Sequence, residues 1–166
     1  MPGVGGPAWA EAPESAVKAI YLYKFAPFVE WPASAFPSRS SPFYFCVLGD
    51  DPFAVLLNQA VAGQLVDEHP VAVRRLRPEQ DGAGCHVLYL DGQGGKVTAD
   101  ALRTVRGAPV LTVADQNPDG VRGAIIEFVV KNGHVHFNID TTAATTNGVT
   151  ISSKLLSLAQ SAGPGG

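Results

Sequence analysis

Phe43-Tyr44-Phe45-Cys46-Val47-Leu48-Gly49-Asp50-Asp51 is an apolar run, rich in aromatic residues, that breaks off at a glycine and two carboxylates. A segment this apolar must be covered on both faces, the condition of a strand inside a parallel sheet, and the Gly-Asp-Asp-Pro that follows supplies its turn. Side chains alternate along a strand, so Tyr44, Cys46 and Leu48 share one face and Phe43, Phe45 and Val47 the other. The rest of the chain has to provide an apolar layer for each.

Toward the C-terminus, Pro52 to Ala62 reads as a short helix with Phe53, Leu56, Leu57 and Val61 inward and Gly63 at its end. Val71 to Leu76 alternates Val and Arg, as a half-exposed strand does. His86 to Leu90 is a third, buried strand ended by Asp91-Gly92. Val97 to Val105 is a helix with Ala101, Leu102 and Val105 inward, and Pro109 to Ala114 a fourth strand ending at Asp115. This order predicts an α/β fold: a doubly wound, mostly parallel sheet, Rossmann-like or receiver-like, with strands in the order 2-1-3-4 and helices on both faces.

Ala124 to Val130 and His134 to Ile139 are strands joined by Lys131-Asn132-Gly133, and Asn-Gly is a strong hairpin signal, so an antiparallel hairpin extends the sheet. Asp140 is placed to cap a short helix through Thr146, and Ser152 or Ser153 a second one with Leu155, Leu156 and Leu158 available for packing. Toward the N-terminus, Glu14 to Trp31 carries Val17, Ile20, Tyr21, Lys24 (through its stem), Phe25, Phe28 and Trp31 at helical spacing. Pro27 kinks this helix near Ala26 and Pro32 stops it. Its stripe is assigned to the core, with Phe25, Phe28 and Trp31 as structural residues; Pro32 to Pro42 is a loop.

One domain over 14–160 is expected, with 161–166 as a disordered tail and 1–13 as an expression leftover or processing remnant. Ala8-Trp9-Ala10 has the small-x-small form of a signal-peptidase site. Charged residues make up only 16% of the 166-residue chain, the net charge is −3, and no Lys/Arg cluster is present, which argues against a phosphate-tracking nucleic-acid surface. No run reaches the ~18 apolar residues of a membrane span.

The chemistry-bearing residues gather at strand ends. Asp50 and Asp51, Asp91, and Asp115 follow strands one, three and four, and so project from the C-terminal edge where such sheets bind ligands. The arrangement resembles the magnesium pocket of two-component receiver domains, but Asp is also the ordinary residue of strand-ending turns, and the only lysine near the receiver position is Lys131 in a hairpin turn. These four carboxylates are kept as candidates for a small-ligand crevice. His134 and His136 share a strand face, and His86 adjoins Cys85, without a third ligand nearby in sequence; no metal is expected. The fingerprints G-x-G-x-x-G, G-x-x-x-x-G-K-[ST] and G-x-S-x-G are absent, and no catalytic residue or cofactor is expected.

Three stretches taken together, YKFAPFVEWP (Tyr23 to Pro32), the pair FCVLGDDPF and GCHVLYL, and GAIIEFVVKNGHVHFNID followed by GVTISSKLLSLA, resemble the YfiR-type periplasmic proteins over about Val17 to Ala159. The shared motifs are structural, not catalytic. The resemblance implies a periplasmic binding protein without chemistry of its own, whose partner is the periplasmic sensor domain of a membrane-bound diguanylate cyclase; holding that cyclase inactive lowers cyclic di-GMP. A second copy of the chain is a further candidate partner, and the partner-binding surface is not legible. The residues alone leave Cys46 and Cys85 as a disulfide or as two buried thiols; export and the resemblance imply the bond. A second cysteine pair, carried by some members, is missing here.

Overall fold

A computed structural model of the chain describes residues 13–49, 51–117 and 119–164. The Ala8-Trp9-Ala10 motif and Asp50 lie outside these residues, as does the side chain of Asp51. The central run is strand β2 (Phe43–Leu48), preceded by α1 (Glu14–Phe25) and β1 (Val29–Glu30) and followed by α2 (Asp51–Val61), β3 (Leu65–Val66) and β4 (His69–Leu76). Beyond these come β5 (Val87–Leu90), α3 (Gly95–Thr104), β6 (Leu111–Asp115), β7 (Ile126–Lys131), β8 (His134–Asp140), α4 (Thr141–Thr146), β9 (Thr150–Ile151), α5 (Ser153–Leu158) and β10 (Ser161–Gly163).

Eight strands form one mostly parallel sheet in the order β10-β8-β7-β6-β5-β2-β4-β3. β2 lies parallel between β4 and β5, with Cys46 opposite Arg74 on one side and Leu88 on the other. β7 and β8 pair antiparallel from Ile126↔Ile139 to Lys131↔His134, and Asn132 and Gly133 turn between them with φ of 52° and 77°. The two faces of β2 feed two separate cores. Phe43, Phe45 and Val47 join Leu22 and Phe25 of α1 and Phe53, Leu57 and Val61 of α2; Cys46 and Leu48 join Leu88, Leu90 and Val105 on the side of α3.

The N-terminal helix is shorter than its sequence predicts. Pro27 has no N–H to donate and its ring obstructs the preceding turn, so α1 stops at Phe25 and Ala26–Phe28 forms a single 3₁₀ turn. Val29 and Glu30 then pair with Ile151 and Thr150 in a small second sheet. Phe28 and Trp31 are therefore not on the helical stripe, although both still pack against the first core. Without them the buried arc of α1 recentres on Ala19, Leu22 and Phe25, while Ile20 is 47% exposed and Lys24 faces water.

Two further expectations are corrected. Ser161–Gly163 is not a disordered tail: it pairs parallel with Asn138–Asp140 as the edge strand β10. A Ser-Ala-Gly edge strand is held by backbone groups and offers no apolar alternation to read. Leu158, assigned to packing, is 63% exposed, because α5 ends there after burying only Leu155. The caps on α4 and α5 are formed by Asp140, which accepts from the Ala143 N–H, and by Ser152, which accepts from the Leu155 N–H.

Candidate functional site

Of the four acids expected at the C-terminal edge of the sheet, the side chains of Asp91 and Asp115 are described. Asp50 lies outside the described residues, and Asp51 opens α2. Asp91 is pressed against the end of β2: a Cβ on Gly49 would lie 2.6 Å from the Asp91 Cβ, so only glycine permits this approach. Asp115, on β6, is engaged through both oxygens. Its Oδ1 accepts from Lys18 Nζ at 2.9 Å and from the Tyr89 hydroxyl at 2.7 Å, and its Oδ2 from the Gly92 N–H at 2.9 Å. Tyr89 is fully buried between Phe53 and Phe128, and that burial, reinforced by the charge of Asp115, drives its phenol pKa far up. Asp115 is thus the anchor that joins α1 to β5 and β6. Among the described residues no three His, Cys, Asp or Glu side chains stand close enough to hold a metal.

This network sets an expectation. Asp115→Asn keeps the shape but removes the charge that faces Lys18 and one acceptor site, and should destabilise by about 1.5–3 kcal/mol, the range of hydrogen bonds to charged groups. Chemical denaturation of the variant measures it; an unchanged midpoint would show that Lys18 and Tyr89 find water equally good.

A cleft lies farther along the sheet. Its volume of about 680 Å³ is lined by Thr98 and Leu102 of α3, Asp115, the 121–125 connection, Glu127 and Asn138 of the sheet, and β10. A smaller one of about 360 Å³ shares Leu102, Arg122, Gly123 and Asp140 with it and adds Arg103 and Arg106. Of the two candidate carboxylates whose side chains are described, Asp115 lines the first cleft and Asp91 lines neither. Among the described residues the parallel crossover from β6 to β7 contains no helix. Asp119 fixes that connection by accepting from the Gly95 N–H at 2.8 Å, in a space that a Cβ on Gly95 would fill. Inside the cleft, Asn138 donates to Glu127 at 3.4 Å and accepts from Gln160 at 3.3 Å. Walls that carry both signs of charge can hold a compact polar solute. The sequence signal for the cleft is the segment QNPDGVRG, a crossover with no helical periodicity.

At the opposite edge, Cys46 and Cys85 are bonded, with Cα atoms 5.9 Å apart. β5 starts only at Val87, opposite Phe45, and the turn closed by the Cys85 N–H on the Gly82 carbonyl lays Cys85 over the face that carries Cys46. The next residue, His86, is buried and holds the N-terminal segment to the sheet. Its Nδ1 accepts from the Tyr44 N–H at 3.0 Å, which leaves Nε2–H to donate to the Ala35 carbonyl at 2.8 Å. Phe36 stacks on it at 4.3 Å and continues onto His69 at 3.9 Å, and Trp31 Nε1 donates to the His86 carbonyl at 3.0 Å. Residue types alone did not disclose this cluster, because its members are far apart in sequence. His134 and His136 stand exposed on β8 opposite Lys131 and Val129.

Burial pushes the His86 pKa below its ordinary value; His69 and Arg74 push the same way, and the Ala35 bond opposes them only in part. A proton on Nδ1 would also face the Tyr44 N–H, donor against donor. The unfolded chain therefore takes up this proton at a higher pH than the folded one, and the contribution, complete above about pH 6.5, is lost as the pH falls below it, by at most about 1.4 kcal/mol per pH unit. Melting should drop between pH 7.5 and 5.5, and less steeply in His86→Phe; equal slopes would contradict the assignment.

A protein-family model described as YfiR/HmsC-like matches residues 15–160. No curated protein matches the chain. Among the described residues no helix is long and apolar enough to cross a membrane.

Proposed function

The chain belongs to the YfiR/HmsC-like family, and from that premise we propose that it is a periplasmic regulatory binding protein that restrains an inner-membrane diguanylate cyclase through the cyclase's periplasmic sensor domain. The observation that carries the reading is the extent of the family match, 15–160, which takes in every strand of the sheet except β10. Two features support it. The Cys46–Cys85 bond suits an oxidising compartment, and Asp115, a sheet-edge carboxylate on a cleft wall, is already committed to Lys18, Tyr89 and Gly92. Restraint works by differential affinity: the protein binds the inactive state of the cyclase more tightly, and its release raises cyclic di-GMP in the cytoplasm. The test is capture from detergent-solubilised inner membrane with the oxidised protein as bait. A cyclase bearing a periplasmic domain is the expected catch, and repeated recovery of periplasmic enzymes alone would count against the proposal.

The cleft beside α3 favours a second, compatible reading, in which a compact polar solute bound there tunes partner affinity. The volume lies beyond β6, with Asp115 on its wall.

A further inference from the structure

We propose that the smaller cleft, between α3, the 121–125 connection and α4, binds a compact organic polyanion, a small solute that carries two or more carboxylate or phosphate groups. Three of the chain's seven arginines line its volume of about 360 Å³. Arg103 stands in the last turn of α3, Arg106 just beyond it, and Arg122 on the connection. Among the described residues the one acid in the lining is Asp140, whose Oδ1 accepts from the Ala143 N–H at 2.9 Å as the cap of α4. This positive charge is local, because the whole chain carries a net charge of −3.

Structural roles do not cover all three arginines. Cations at a helix C-terminus offset the partial negative charge of its last carbonyls, which suits Arg103 and Arg106 but not Arg122, on another element. Arg103 also pairs with Asp100, which holds Lys96 as well, whereas Arg106 has no ion-pair partner among the described residues. Gly123, with φ at 117°, lays the connection against α3, where a Cβ on it would lie 3.7 Å from Leu102 Cδ1. Arg122 thereby joins Arg103 and Arg106 around one volume. The lining also holds a neutral donor. Thr112 is 1% exposed; its Oγ1 accepts from the Ile125 N–H at 2.9 Å, and its own O–H has no acceptor among the described residues. Guanidinium groups match carboxylate and phosphate oxygens two at a time, so three of them around one volume suit a ligand with more than one oxyanion. Ala99, Leu102 and Ala143 form an apolar part of the wall that a short carbon frame covers and bare phosphate does not.

Titration of the oxidised full chain with citrate at constant ionic strength, followed by amide shifts, tests the proposal, with inorganic phosphate and acetate as comparison probes. Citrate should bind once per chain and more tightly than phosphate, acetate should not bind, and the shifts should centre on 102–107, 122–123 and 142–147. Arg106→Gln and Arg122→Gln should each weaken citrate by about tenfold or more, the effect of losing a charge-assisted hydrogen bond. Arg39→Gln and Arg77→Gln, which remove the same charge from exposed positions outside the cleft, should leave its affinity unchanged. The amide spectrum of each variant before citrate is added shows whether it is folded, and the two cleft variants serve as independent tests. No response to millimolar citrate, phosphate bound as tightly as citrate, equal weakening in all four variants, or shifts centred away from the cleft overturns the proposal. None of these readouts involves a cyclase, so the site is tested apart from the proposed partner.

Discussion

Reduction of the Cys46–Cys85 bond is expected to remove about 4 kcal/mol of stability, because the bond closes a loop of 39 residues in sequence and the chain-entropy relation gives that magnitude for a loop of this size. A domain is stable by only about 5–15 kcal/mol, so the loss is a large fraction of the whole. The bond stitches the α3 face of the central strand to the turn immediately before His86, and the reduced protein should loosen first around that turn. Melting with and without a non-thiol reductant measures the effect, with a fall of more than about 10 °C expected for a domain of this size. Coincident melts of the oxidised and reduced forms would show that the bond adds nothing to the two cores. Intact mass after alkylation under denaturing, non-reducing conditions should find no free thiol in protein prepared from an oxidising compartment.

Phe25→Ala is expected to be the most damaging apolar truncation on α1. The ring is 2% exposed at the last turn of the helix and lies 5.0 Å from Phe137, 5.9 Å from Phe128 and 6.0 Å from Tyr21, centre to centre. It therefore joins the helix to both strands of the β7–β8 pair, and its removal leaves a void between rigid rings that cannot collapse easily. Truncations of this kind cost about 3–5 kcal/mol. Trp31→Ala should cost less, since Trp31 is half-buried and keeps its place through an edge-on contact with Phe43 at 4.9 Å and its bond to the His86 carbonyl. Equilibrium denaturation of the two variants ranks them. A larger loss for Trp31→Ala would mean that the N-terminal edge, not the helix seam, is the weaker point of the structure.

The α/β class and the mostly parallel sheet were legible because buried strands and amphipathic helices declare themselves locally. The alternation in Phe43 to Leu48 divided its residues between two cores as the structure divides them, and Asp140 and Ser152 stand where caps are needed. What was not legible depends on distance or on backbone alone. Lys18 and Asp115 are 97 residues apart, and no local pattern ties α1 to the end of β6. The 3₁₀ turn at Pro27 moved Phe28 and Trp31 out of a stripe that looked continuous in sequence. β10 has no side-chain signature, and the 121–125 connection that lines the cleft has no periodicity to read. Asp115, which appeared available at the sheet edge, is spoken for once the fold brings a lysine, a tyrosine and a backbone N–H to it.

The central claim is that this protein acts by restraining a cyclase and not by turnover. Its most direct test is the rate at which the detergent-solubilised cyclase captured by this protein converts GTP to cyclic di-GMP while the oxidised protein is titrated in. The account predicts a saturable fall to a low plateau, reversed when the protein is removed; a rate that stays level or rises while the complex demonstrably forms would contradict it.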